Sequence, residues 1–160
     1  DAITINFPTP QPKAKYAKKR LVHVDHLMIY RPLFAAGATV TLRTDSKPLR
    51  DYALGQFAAA GYDTLWVSDD VRRDHPEHPE TEYECRTREM GAVVYGICAT
   101  PGAQPTDEQL TAGRMQEQSL ACYLPDNLDE LIYVPLGMEE AVENFRNRAR
   151  KGKKRLPQEH

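Results

Sequence analysis

Three features of the sequence predict an α/β fold with a mostly parallel sheet covered on both faces. Short β-patterned runs alternate with helix-patterned runs over the first hundred or so positions. Apolar residues make up 41% of the 160, enough for one substantial core. No apolar run approaches the ~20 residues that a membrane helix needs, so the apolar content is available to fill that core.

Ala2-Ile3-Thr4-Ile5-Asn6-Phe7 alternates apolar and polar residues and is read as the first strand, stopped by Pro8. Pro8, Pro10 and Pro12 then impose an extended loop, because proline fixes its own φ and restricts the residue before it. A helix is expected from Asp25, as its cap, to Ala36, with Leu27, Tyr30 and Phe34 inward, a kink at Pro32 and a stop at Gly37. Thr39–Thr44 forms the second strand, ending at Asp45, and Pro48–Ala60 a helix closed by Gly61. Thr64–Val67 is the third strand, Asp70–Glu80 a polar loop, and Ala92–Cys98 the fourth strand. Composition shifts at Pro105. Thr106–Cys122 and Gly137–Lys151 are helix-patterned, the second with Met138, Ala141, Val142, Phe145 and Ala149 on one side, and Gly152–His160 is expected to be a mobile tail. The implied units are 1–104 and a helical extension, 105–160, that ends in a basic tail.

Net charge is only −2, but it is segregated. Lys13, Lys15, Lys18, Lys19 and Arg20 form one basic cluster, and Arg146, Arg148, Arg150, Lys151, Lys153, Lys154 and Arg155 another. Such segregation presents a positive face to phosphates even at near-zero total charge. Cys85, Cys98 and Cys122 lack the paired spacing of zinc or redox sites and are read as buried thiols of a reducing cytoplasm. No secretory leader pattern opens the chain.

Three segments carry a resemblance. Asn6-Phe7-Pro8-Thr9-Pro10-Gln11-Pro12-Lys13, with Lys15-Tyr16 and Lys18-Lys19-Arg20-Leu21 behind it, comes first. Thr44-Asp45 at a strand end and Thr81-Glu82-Tyr83-Glu84 with Arg86 follow. In this order and spacing they resemble the tRNA (guanine-N7)-methyltransferase family across residues 1 to about 100. Thr9 stands where the family carries an acidic residue and Gln11 where it carries tryptophan. The upstream glycine-rich turn that the family uses for S-adenosylmethionine has no counterpart here, since Gly91, Gly96 and Gly102 come too late. The resemblance thus implies the C-terminal half of a Rossmann-like S-adenosylmethionine-dependent methyltransferase sheet, its fourth to seventh strands, plus a helical extension. It implies a tRNA substrate, a cytoplasmic enzyme and no membrane. An edge left bare by the missing strands implies a missing N-terminal half, a second copy, or cover by the C-terminal helices.

Guanine presents two donors on its Watson–Crick edge, and a carboxylate accepts both. Asp45 and Glu84 are the candidates, with Thr81 adding a hydroxyl and Tyr83 either stacking on the base or filling core. Lys13 is expected to contact substrate directly, and Lys15, Lys18, Lys19 and Arg20 to contact RNA phosphates. Asn6 and Thr9 are assigned to the cofactor side, Thr9 also holding the catalytic position. The accepting nitrogen already has a lone pair, so methyl transfer is governed by placement rather than proton removal.

Plainer readings stand beside these. Lys15–Arg20 also suits a solvated helix start, Asp45 a helix cap, and Thr81–Glu84 a surface loop. His75 and His78 supply too few donors for a metal, so none is expected; His23 and His26 are read as surface or boundary residues, Trp66 and Phe57 as core. A catalytically silent module that binds tRNA or a partner is the competing function, and a methyltransferase with another substrate a third.

Overall fold

The computed structural model describes residues 1–153. Four strands form one sheet: β1 (Ala2–Asn6), β2 (Thr39–Thr44), β3 (Tyr62–Ser68) and β4 (Tyr95–Pro101), in the order β1-β2-β4-β3. β1 pairs parallel to β2, with Ala2 opposite Thr39 and Asn6 opposite Arg43. β4 runs antiparallel to both β2 and β3. The expectation of a mostly parallel sheet is therefore corrected: one of three ladders is parallel. A parallel return needs a helix laid across the sheet. The stretch between β3 and β4 instead folds at the strand ends, where the Val71 amide donates to the Val94 carbonyl at 2.8 Å.

Among the described residues six α-helices accompany the sheet: α1 (Val24–Tyr30), α2 (Lys47–Ala59), α3 (Val71–Asp74), α4 (Glu82–Glu89), α5 (Asp107–Met115) and α6 (Glu139–Lys153). α2 packs Leu49, Tyr52, Ala53 and Phe57 onto the face that carries Val40, Leu42, Ile97 and Ala99. Leu120, Leu124, Leu128, Met138 and Val142 join the same cluster, so the C-terminal segment shares its core with the sheet. Cover on both faces is expected, and both faces of the central strands are buried: α2 lies over Val40, Leu42, Ile97 and Ala99, and on the other face Thr41, Arg43 and Cys98 are buried, Arg43 against Glu84 of α4.

Several boundaries differ for local reasons. α1 starts one residue before Asp25 because His23, buried at 2% exposure, caps it: its Nδ1 accepts from the Asp25 amide at 3.1 Å. His23 is thus a core residue rather than a surface or boundary one. α1 gives way to a 3-10 turn at Arg31–Leu33, where Pro32 falls, and Gly37 then takes φ +76°. The Thr106–Cys122 helix is shorter than expected, a capping box at Thr106 and Gln109 opening α5, with a separate 3-10 turn at Leu120–Tyr123. The α6 stripe holds through Phe145, while Ala149 is exposed. α6 continues through residues 152 and 153, where a mobile tail is expected; the rest of the tail, with Lys154 and Arg155, lies outside the described residues. Phe57 is core, but Trp66 is half-buried and stacked on His75. Cys98 is buried, whereas Cys85 and Cys122 are exposed, against the expectation of three buried thiols. Among the described residues no helix is long and apolar enough to cross a membrane.

Candidate functional site

Parallel pairing of β1 and β2 brings their C-terminal ends side by side, so the prolyl loop and Asp45 share one edge of the sheet. The loop is strained. Phe7 has φ +47° and Gln11 φ +49°, the only non-glycine residues with positive φ among those described, and each precedes a proline. Such conformations cost about 1–3 kcal/mol each and persist where surroundings impose them. Arg20 imposes this one. Its Nε donates to the carbonyls of Pro10 and Gln11 at 3.0 Å, and its Nη2 to Gln11 O at 2.7 Å and Gln118 O at 2.6 Å. The guanidinium lies 4.5 Å from the Tyr52 ring centre, and the residue is 1% exposed. Arg20 is therefore an internal strut of the loop, not an RNA-backbone contact: a buried cation reaches no phosphate.

Asp45 does not cap α2. Ser46 does, its hydroxyl accepting from the Leu49 amide, which leaves the Asp45 carboxylate for other partners. Two phenols donate to its Oδ2: Tyr83 at 3.3 Å and Tyr133 at 2.9 Å. Burial, with the Asp45 charge behind it, pushes the Tyr83 hydroxyl up to about 12. Burial and the bond to Asp45 raise Tyr133 as well. The Tyr83 ring packs on Phe7 with centres 4.9 Å apart, which ties the prolyl loop to α4.

Thr81 is the cap of α4, its hydroxyl accepting from the Glu84 amide at 3.1 Å. The sequence reads as a surface loop at this point, whereas the structure forms a helix. Its first turn carries Glu84 inward, fully buried between two guanidiniums: Arg43 Nη2 at 2.6 Å from one oxygen and Arg72 Nε at 3.1 Å from the other. The expectation that Glu84 meets guanine is corrected on this geometry, because both oxygens are committed and sealed from solvent. Arg43 also donates to Pro79 O at 2.9 Å and Arg72 to His78 O at 2.6 Å, fixing the approach to α4.

One cavity of about 540 Å³ collects what remains: Asn6, Phe7, Thr9, Asp45, Thr81 and Tyr83 line it, with Leu136 and Gly137 of the C-terminal segment. Asn6 and Thr9 are exposed at its rim. Lys13 is not part of it. That side chain turns into a neighbouring cavity of about 460 Å³, beside Tyr16 and Arg148, and pairs with Glu140 of α6 at 2.9 Å, a contact that holds its pKa above the usual lysine value. Lys15, Lys18 and Lys19 are exposed on a 3-10 turn (Ala14–Lys19), with Lys15 and Lys19 at 5.0 and 4.8 Å from the Tyr16 ring centre.

A family model described as "Putative methyltransferase" matches residues 1–97. The chain belongs to this methyltransferase family. Curated relatives named tRNA (guanine-N(7)-)-methyltransferase bear out the resemblance over its N-terminal part. That of Streptococcus equi subsp. zooepidemicus is 32% identical over 101 residues, 62% of this chain and 48% of the relative. Those of Exiguobacterium sibiricum and Alkaliphilus oremlandii are 32% and 34% identical over 99 and 100 residues, covering 61% and 62% of this chain and 46% and 47% of theirs. The chain spans about half the length of the curated relatives it matches. Its mixed sheet and helices are consistent with a Rossmann-like methyltransferase fold.

In this methyltransferase-family chain, sequence reasoning missed Phe7 as a wall of the site and Tyr133 as a second donor to Asp45. Phe7 had a signal, as the strand-end residue before a proline. Tyr133 had none, lying 88 positions from its partner.

Proposed function

We propose that the protein takes part in methyl transfer from S-adenosylmethionine to N7 of a guanine in tRNA, in the cytoplasm, with this chain supplying the tRNA- and guanine-binding half of the catalytic domain. The observation that carries the reading is the convergence of Asp45, Tyr83 and Thr81 with the strained prolyl loop around one cavity, with exposed lysines on the adjoining turn. Curated relatives named for the same reaction support it.

In this reading Asp45 accepts a guanine N–H in place of a phenol donor, and the Phe7 and Tyr83 rings supply apolar surface to the base. Charge-assisted hydrogen bonds of that sort contribute about 1.5–3 kcal/mol each when shielded. Glu84 acts at one remove, anchoring the turn that presents Thr81 and Tyr83. Lys15, Lys18 and Lys19 hold phosphates, which offsets the few kcal/mol needed to expose the base. S-adenosylmethionine supplies an electrophilic methyl on a sulfonium. Asn6 and Thr9, polar and open at the cavity rim, fit the edge of such a site, but no glycine-rich turn lies among these residues to cradle the rest. Most of the donor's site belongs to the part of the family length that this chain does not span. Thr9 leaves no negative charge beside the sulfonium, so it acts through shape and hydroxyl contacts alone.

A second reading, a silent tRNA- or partner-binding module, draws on Thr9, Gln11 and the two phenols already bonded to Asp45. Labelled methyl donor and tRNA, given to protein in which the donor-binding part of the family length is present and followed by digestion to nucleosides, separate the two. The first reading expects 7-methylguanosine, reduced about ten- to hundredfold by Asp45→Asn, as the loss of one charged hydrogen bond implies. Absence of that nucleoside, together with no calorimetric binding of S-adenosylmethionine and intact tRNA binding, would establish the silent module instead.

A further inference from the structure

The sequence His75-Pro76-Glu77-His78-Pro79 offers two imidazoles, too few by themselves for a metal. The fold brings a third donor to them. Ligand atoms of His75, Glu77 and His78 all lie within 4.8 Å of one another. Glu77 Oε1 is 3.3 Å from His75 Nδ1 and 4.0 Å from His78 Nε2. Donors about 2.0–2.1 Å from a tetrahedral zinc ion sit roughly 3.3–3.4 Å from each other, so one pair already has that spacing and the others close it with small side-chain rotations.

The loop is held by its own backbone and by groups outside the cluster. The His75 amide donates to Val71 O at 2.8 Å and the His78 amide to His75 O at 3.1 Å, which sets both imidazoles on one turn. Arg72 and Arg43 fix the carbonyls of His78 and Pro79. The His75 ring is clamped flat against Trp66, with centres 3.9 Å apart and planes at 25°, and the His78 ring stands edge-on to it at 5.8 Å. Rotamer freedom of two ligands is thereby largely spent before any ion arrives. Glu77 is 68% exposed while the imidazoles are only about a quarter exposed, so the cluster opens to solvent on the carboxylate side and leaves a fourth position for water.

We propose that His75, Glu77 and His78 form a binding site for a borderline-soft divalent transition ion of the zinc class. Two imidazoles and one carboxylate suit zinc, nickel and copper, whereas magnesium and calcium take oxygen donors. The ion braces the 75–79 loop, whose carbonyls hold the two arginines that flank Glu84. The proposal does not depend on the methyltransferase reading, and its test uses no activity assay.

Trp66 is the chain's only tryptophan and reports on the site directly. Chelator-stripped protein titrated with zinc chloride by calorimetry should take up one ion per chain at this site, and nickel or copper chloride should quench Trp66 emission in the same titration. Outer-shell partners alone are worth about 10–100-fold in metal affinity, and a direct ligand is worth no less. Glu77→Gln and His78→Ala, which leave the Trp66–His75 stack in place, should each weaken zinc by at least that factor. Cys85→Ser with Cys122→Ser should leave it unchanged, and magnesium at millimolar concentration should not compete. Unaltered zinc affinity in both Glu77→Gln and His78→Ala, or loss of binding in the cysteine double variant, would overturn the assignment.

Discussion

Asp45 accepts from two phenols, and the three side chains come from β2's end, α4 and the C-terminal segment. Each phenol is held protonated by its surroundings, which links the site to alkaline pH. A hydroxyl whose folded-state pKa exceeds its unfolded value near 10 adds stability that is complete below pH 10 and lost as pH rises through the folded value. For Tyr83 that window runs from about 10 to about 12. The unfolding midpoint should fall across it. Tyr83→Phe should flatten that fall, as should Tyr62→Phe, since burial pushes the Tyr62 hydroxyl, bonded to Leu27 O, up to about 12 too. Equal slopes in the wild type and both variants would mean that these phenols are not shielded as described. Arg20 makes a second prediction at this scale. With four hydrogen bonds to three carbonyls, Arg20→Ala should destabilise the protein by several kcal/mol, as truncating a buried charged donor set does, and a drop below about 1 kcal/mol by denaturant titration would show the prolyl loop is held by something else.

Among the elements, α4 decides how the site is presented. Its anchor is a buried carboxylate between two guanidiniums, and removing one partner of such a pair costs about 3–5 kcal/mol by leaving charge uncompensated. Glu84→Ala should lose about that much stability in chemical denaturation. A loss of tRNA affinity at unchanged stability would mean that the carboxylate serves substrate directly after all. Much of this element was hidden in the sequence. Thr81-Glu82-Tyr83-Glu84 carries a capping threonine three residues before a glutamate, a helix-start pattern, yet the polar run behind it lacks the apolar stripe that marks a helix. The strands fared better, because period-two alternation survives wherever one face is buried: β1, β2 and the apolar heart of β4 are visible in the residues. Strand direction is not. Nothing in Ala92–Cys98 states that β4 runs against its neighbours, since direction is set by where the preceding loop packs. Likewise the charge of Arg20 and Glu84 is plain in the sequence, but their burial depends on partners as distant as 98 and 41 positions away.

At the scale of the whole molecule, charge segregation works with burial to sort the basic residues into two jobs. Arg20, Arg31, Arg43 and Arg50 are inside, tying loops and strand ends together. Lys15, Lys18 and Lys19 stay outside on the one turn that follows the prolyl loop. Their replacement by alanine should leave the unfolding midpoint unchanged and reduce the slope of log affinity against log salt for tRNA by about 2–3, at roughly 0.7–0.9 per phosphate contact. An unchanged slope would place the RNA elsewhere on the surface. The proposed function has tRNA engage the cavity between the prolyl loop, Asp45 and the start of α4. Amide hydrogen exchange with and without tRNA addresses it most directly. Exchange should slow in residues 6–11, 45–47 and 81–84 and on the 14–19 turn; protection confined to other surfaces, with those segments exchanging as in the free protein, would rule out tRNA binding at this cavity.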